Sequence, residues 1–168
     1  MKIHKLVQCA LFACVALIIF VVESLIPPLL PVPGFKMGLA NVVTLGAVYI
    51  LGPVDALWIL ITRIVLGNLF TGQLMSMIYS FSGGILCYGV TILLKRFFKG
   101  NTIWFLGVIG AVFHNIGQVA CACLILRNTS MIYYGFILCA VACVTGSFTG
   151  LCAQYVVKEL NKHDKSSN

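Results

Sequence analysis

Long uncharged apolar stretches dominate the pattern of hydrophobic and polar positions along this 168-residue chain. The longest of them lies between Arg63 and Lys95 and comprises residues 64–94, which is 31 residues. Because about 20 helical residues cross the hydrocarbon core of a bilayer, this stretch holds the end of one spanning helix, a turn and a second complete helix. Cutting the apolar runs at Pro, Gly or charge predicts six helices, over residues 5–25, 37–52, 54–70, 74–95, 103–126 and 131–157.

The connections between these runs refine the predicted domain. Gly52-Pro53-Val54-Asp55 is a turn signal with proline placed to begin a helix, so the short second and third helices are expected to form a hairpin. The proline-rich connector Pro27–Phe35 is expected to be extended, as a lid or as a stiff linker. We therefore predict one transmembrane domain over residues 1–160 and a polar, disordered tail over 161–168.

Composition supports an integral membrane protein of the all-α class. Hydrophobic residues make up 61% of the chain and charged residues 9%, whereas soluble domains are about 45–50% apolar and about 25% charged. The net charge of +7 does not predict nucleic-acid binding, because the basic residues lie at the termini and in one connector. With six spans and both termini in the cytoplasm, the cytoplasmic basic set outnumbers the outer set of Lys36 and Arg127. The cytoplasmic set is Lys2, Lys5, Lys95, Arg96, Lys99, Lys158, Lys162 and Lys165.

Small and sulfur-containing residues are interpreted as packing residues. All eight cysteines lie in apolar runs without a CxxC pair, so neither a metal nor a cofactor is predicted. Small residues recur four apart on faces that allow helices to approach closely, and internal packing is preferred over contact with another subunit. These faces are Ala142/Gly146/Gly150, Gly107/Ala111, Cys9/Ala13 and Ala10/Cys14.

Polar side chains inside the apolar runs are the candidate binding residues, because an ionisable group in a spanning segment is costly and predicts a function. All of them are expected near the outer side, in a cavity with more cationic than anionic groups. That cavity would bind a small anionic or amphipathic ligand. A purely structural alternative pairs Glu23 with Arg63 and uses the amides to join helices. The candidates are Glu23, Lys36, Asn41, Arg63, Asn68, Gln73, His114, Asn115 and Gln118.

Several segments resemble one bacterial membrane family, the Gx transporter family, also described as heptaprenyl diphosphate synthase component I. The resembling segments are Glu23–Pro27, Pro33–Leu45, Arg63–Gly67, Ser80–Gly84 and Ala111–Gln118. The family is similar to the substrate-binding S components of energy-coupling factor transporters. This resemblance implies an S-component-like bundle of six helices with a lid after the first helix. It also implies a transmembrane coupling subunit and two cytoplasmic ATPases as partners, in the bacterial plasma membrane.

Three functions follow as hypotheses. The first is a non-catalytic subunit that captures a substrate from the outer side, since the sequence carries no ATPase motif. The second is a membrane component that works beside a prenyl synthase or in a quinone-precursor pathway. Prenyl synthases hold Mg²⁺ through aspartate-rich motifs, whereas here Asp55 and Asp164 stand far apart in the sequence. The third, a scaffold or redox subunit, has little support from the dispersed cysteines.

Overall fold

The computed structural model describes residues 3–26, 36–127 and 131–166, and this part of the chain is helical without strands. A short 3₁₀ turn, Gly100–Thr102, precedes the fifth α-helix. The six α-helices are α1 (Ile3–Leu25), α2 (Asn41–Ile50), α3 (Pro53–Thr71), α4 (Leu74–Leu94), α5 (Ile103–Leu126) and α6 (Met131–Ser166).

Five of the described helices, all except α2, are long and apolar enough to cross a membrane. The chain is therefore a multi-pass membrane protein. The ten residues of α2 span only about 15 Å at 1.5 Å per residue, roughly half of a hydrocarbon core. Helix α2 is therefore too short to cross the membrane by itself, and it packs against the five long helices.

The bounds of α2 differ from the predicted 37–52 because backbone turns limit it at both ends. Gly38 has φ 78° and Gly52 has φ 104°, which are conformations open to glycine and incompatible with a continuing α-helix. Helix α3 begins at Pro53, as the turn signal predicted. A two-residue connection thus joins α2 to α3, and the two helices pack together as a hairpin.

Helix α6 is longer than predicted. It continues through Ser166 instead of ending at 157, so residues 161–166 are helical where a disordered tail was expected. No proline or glycine follows Gly150 to stop the helix, and polar residues are compatible with helix outside the membrane. Residues 167–168 and the predicted lid at 27–35 lie outside the described residues.

Glycines on α5 and α6 allow these two helices to pack closely. A Cβ atom added to Gly107 would lie 2.9 Å from the backbone nitrogen of Gly150, and one added to Gly146 would lie 2.8 Å from the Ala111 Cβ. Only residues without a large side chain permit this approach. The internal packing predicted for these two small-residue faces is confirmed.

Helix α1 packs against α3 and, less extensively, against α2. At one end of the bundle, Lys5 Nζ of α1 lies 2.6 Å from Asp55 Oδ2 of α3. Toward the other end of α1, Phe20 packs against Gly67 of α3, at a distance that a Cβ on that glycine would not allow. The face of α1 turned away from α3 is exposed and includes Ala10 and Cys14.

Candidate functional site

A group of buried charged and amide side chains lies at the end of the bundle where α1 ends and α2 begins. Helix α1 contributes Glu23, α3 contributes Arg63, and α5 contributes His114 and Gln118. Asn41 is the first residue of α2, and Lys36 lies in the turn before it. Each of these side chains is at most 9% exposed. This polar cluster consists of Glu23, Lys36, Asn41, Arg63, His114 and Gln118.

Glu23 connects α1 to the start of α2. The backbone N–H of Gly38 donates to Glu23 Oε1 at 2.6 Å, and the carboxylate also interacts with the backbone of Ala40. Helix α2 has no side-chain cap of its own at Ala40, so Glu23 supplies a negative charge where the helix leaves N–H groups unpaired. Glu23 and Arg63 interact electrostatically but form no direct ion pair.

Arg63 and Asn41 form the centre of the polar cluster. Arg63 Nη2 donates to Asn41 Oδ1 at 2.9 Å, which links α3 to the first residue of α2. The guanidinium Nε and the Asn41 Nδ2 are both buried without a protein partner. The protein therefore uses only part of the guanidinium. The Arg63 Nε and the Asn41 Nδ2 both retain a free N–H donor.

Lys36 places a second cation next to this pair. It lies in the turn before α2, outside the spanning helices, with Nζ 3.4 Å from the centroid of the Phe20 ring and without a hydrogen-bond partner. A ring face attracts a cation without using its N–H donors. Burial lowers the pKa of Lys36 to about 8, against the opposing effect of Glu23. The ammonium is thus held in place with its donors available.

His114 and Gln118 face the cluster from α5. Their side chains meet through Nε2 atoms 3.1 Å apart, and a Cβ on Gly38 would lie 3.0 Å from His114 Cδ2 and 2.7 Å from Asn41 Nδ2. Gly38 therefore adjoins both α5 and α2. Gly83 allows α4 to approach α5 closely, since a Cβ there would lie 2.6 Å from the carbonyl oxygen of His114.

Unpaired polar atoms are unusually frequent in this region. Leaving one buried donor or acceptor without a partner costs about 1–3 kcal/mol, and the majority of such atoms in proteins are hydrogen-bonded. A polar guest at the cluster would supply partners for its unpaired atoms, which are Lys36 Nζ, Asn41 Nδ2, Arg63 Nε and Gln118 Oε1. His114 Nδ1 also lacks a clear side-chain partner, but the ring interacts with the Gly83 backbone. The other buried unpaired side-chain atoms of the described residues are Thr44 Oγ1, Asn68 Oδ1, Ser80 Oγ and Asn115 Oδ1.

Three of the nine predicted residues have other positions. Asn115 points to α6, where its Nδ2 donates to the Leu138 carbonyl at 2.9 Å. Asn68 is fully buried and its Nδ2 donates to the Ile64 carbonyl one turn earlier in α3. Gln73 is exposed at the turn between α3 and α4 and lies apart from the polar cluster.

Sequence reasoning missed two residues that contact the cluster and two further buried hydroxyl groups. Gly38 and Phe20 contact charged members, and Thr44 and Ser80 carry buried hydroxyls without partners. Phenylalanine, serine and threonine are common in spanning helices, so nothing in their pattern distinguishes them. The glycine at position 38 gave the strongest available signal, because it interrupts the predicted helix just before Asn41.

An apolar groove of about 600 Å³ runs along a different face of α2. Its walls come from α1 and α6, which have no contact with each other in the described part of the chain. Val42, Val43 and Gly46 form its floor, whereas Asn41 and Thr44 carry polar atoms of the interior. The groove and the polar cluster are therefore separate features on either side of one short helix.

The fold and the site together define a helical multi-pass membrane protein that keeps charged and amide groups in its interior. The chain belongs to the family described as Heptaprenyl diphosphate synthase component I, which it matches over residues 12–156. This match confirms the family to which the sequence segments pointed. Comparison with curated proteins and with solved structures gave no match.

Proposed function

We propose that this chain is the substrate-capturing membrane subunit of an uptake transporter of the energy-coupling factor type. It binds a small anionic or amphipathic molecule at the polar cluster from the outer side of a bacterial plasma membrane. It performs no chemistry itself. Its partners are a transmembrane coupling subunit and two cytoplasmic ATPases.

One observation carries this proposal. Arg63 Nε, Lys36 Nζ and Asn41 Nδ2 are three N–H donor groups, buried in one region without protein partners. Two of the groups are cationic, and planar guanidinium and ammonium donors together suit a carboxylate or phosphate oxygen. An ionisable group within the membrane is by default a candidate functional site, because burying it is costly.

In the proposed topology, the chain crosses the membrane six times and has both termini in the cytoplasm. Helix α2 forms the second crossing together with the turn at 37–40. The proposed cytoplasmic end then carries the Lys5–Asp55 pair and the connector after α4. The positive-inside distribution of Lys and Arg supports this orientation, and it puts the polar cluster in the outer half.

The exposed face of α1 supports a docking role. Ala10 and Cys14 lie four residues apart on this face, and both are exposed in the isolated chain. Small residues at this spacing allow a partner helix to approach closely. We assign the coupling subunit to this face.

A second candidate function has one observation in its favour, the description of the family. In that case the chain is a membrane component that works beside a soluble prenyl synthase. Asp55, which lies at the end of the bundle opposite the polar cluster, is paired with Lys5. No group of three or more His, Cys, Asp or Glu that could hold a metal occurs among the described residues. This second proposal assigns catalysis to the partner.

Isolation of the tagged chain from its native membrane in mild detergent tests the proposal. The proposal expects a transmembrane protein and two ATPases to co-purify, together with a bound anionic small molecule. A matched preparation of an unrelated multi-pass protein with the same tag identifies background proteins. Recovery of a soluble prenyl synthase, without ATPases and without a small molecule, contradicts the proposal and supports the second function.

Ligand retention should depend on pH through Lys36. With a pKa of about 8, Lys36 is charged at neutral pH and loses its charge as the pH rises through that value. A bound anion raises this pKa, so retention of the ligand should be constant up to pH 8 and fall above it. Mass spectrometry of retained small molecules after washing at pH 7 to 10 measures the change.

The matched control is Lys36→Arg, because arginine keeps its charge throughout this range. Its retention profile should remain flat to pH 10. The same decline in both proteins would exclude Lys36 as the titrating group.

A further inference from the structure

We propose that the ligand of the polar cluster carries a single negative charge on its polar head, as a carboxylate does, and is not a diphosphate. This inference rests on the proposed function and specifies the class of its substrate. It follows from the balance of charges that the chain buries at this site.

The buried charges of the described residues are few enough to assign completely. They are Glu23, Lys36, Asp55 and Arg63. Asp55 is paired with Lys5 at the opposite end of the bundle. The polar cluster therefore contains one carboxylate and two cations, and the connector 27–35 adds no charged residue by sequence.

His114 does not alter this balance. It is 3% exposed and lies within electrostatic range of Arg63. Unlike Lys36, which interacts electrostatically with Glu23, His114 has no carboxylate partner in the described part of the chain, and burying an unpaired charge is costly. The imidazole is accordingly neutral, and its Nε2 contacts the Gln118 amide.

The net charge of the site is thus +1, from two cations and one carboxylate. The Glu23 carboxylate accepts from the Gly38 N–H at 2.6 Å and interacts with the charges of Arg63 and Lys36, which stabilises its ionised form against the cost of burial. A ligand with one negative charge makes the interior neutral. A phosphate monoester carries about −1.5 to −2 charges at pH 7 and a diphosphate carries more, which leaves negative charge buried without compensation.

The number of acidic groups on the retained ligand tests this inference directly. The wild-type protein is purified in mild detergent, its small molecules are extracted, and acidic groups are counted by mass spectrometry after methyl esterification. One acidic group per retained molecule is expected. A retained molecule with two or more acidic groups, or with a diphosphate, overturns the inference and leaves the proposed function standing.

Two variants separate net charge from individual contacts. Lys36→Met brings the net charge of the site to zero, and retention of the ligand is expected to fall at least tenfold. The double variant Glu23→Gln/Lys36→Met restores +1 through Arg63, and the introduced glutamine keeps an oxygen for the Gly38 N–H. Retention by the double variant is expected to exceed that of Lys36→Met at least threefold and to remain below that of the wild type, because the Lys36 donor is still missing.

Retention by the double variant no better than by Lys36→Met overturns the inference, provided thermal unfolding shows both variants folded. If either variant unfolds, the acid count on the wild-type ligand decides alone. Absence of any retained molecule in the wild type contradicts the proposed function, and the inference falls with it.

Discussion

Replacement of Arg63 by alanine is expected to release the ligand from the polar cluster. The change removes the guanidinium Nε donor and leaves Asn41 Oδ1 without its partner. In the proposed complex, Arg63 and the anionic ligand form a buried, hydrogen-bonded charge pair. Removing one member of such a pair costs about 2–5 kcal/mol, which corresponds to a loss of roughly 30-fold or more in affinity. Mass spectrometry of the small molecules retained by each purified protein measures the loss.

Arg127→Ala provides the control for this experiment. Arg127 ends α5 and is exposed, away from the buried cluster. Its loss removes the same charge from the chain, so retention should equal that of the wild type. Equal ligand occupancy in wild-type and Arg63→Ala protein would show that Arg63 does not bind the ligand.

A single methyl group at Gly150 is expected to destabilise the whole bundle. The added Cβ would overlap the carbonyl oxygen of Trp104 and lie 2.9 Å from the Trp104 Cα. Because both atoms belong to the backbone, α5 and α6 must separate to accommodate it. Overpacking of this kind costs about 1–3 kcal/mol, and thermal unfolding in detergent should show a lower midpoint for Gly150→Ala.

Gly89→Ala is the matched control for the packing effect. Gly89 also lies within a helix, but a Cβ there meets nothing within 4 Å. Alanine favours helix over glycine by about 1 kcal/mol, so this variant should unfold at the wild-type temperature or slightly above it. A midpoint for Gly150→Ala as high as that of Gly89→Ala would contradict the close contact between α5 and α6.

The sequence predicted the five long helices well because their signal is strong. Uncharged apolar runs longer than a bilayer crossing have few alternative structures, and Pro53 marks the start of α3. The short helix α2 was harder, since its limits depend on the glycine conformations at positions 38 and 52. Glycine occurs inside many spanning helices, so its φ angle is not evident from composition.

The polar cluster was predictable in its members and less so in its contacts. Residues four apart on α5 share a face, so His114 and Gln118 were expected together. Asn115, one position from His114, points to a different neighbour and joins α5 to α6. Likewise, an ion pair between Glu23 and Arg63 was plausible from charge alone, whereas the backbone N–H of Gly38 is the observed partner. Side-chain partners depend on helix rotation, which spacing alone does not determine.

The description of the family names a prenyl diphosphate synthase. This description agrees with the side chains of this chain if it refers to a protein that associates with the synthase and not to the one that catalyses the reaction. The interior offers cations and amides for a bound anion, with one buried carboxylate beside them. Chain elongation of a prenyl diphosphate needs several carboxylates around Mg²⁺. Both proposed functions assign catalysis to other subunits.

The buried donors of Arg63, Lys36 and Asn41 are expected to bind a ligand, and an experimental structure of the gently purified, wild-type protein would show it. Density for a small anion within hydrogen-bonding distance of Arg63 Nε and Lys36 Nζ is the predicted result. A closed site, in which the Glu23 carboxylate pairs with Arg63 and Lys36 and leaves no room for a guest, would contradict it.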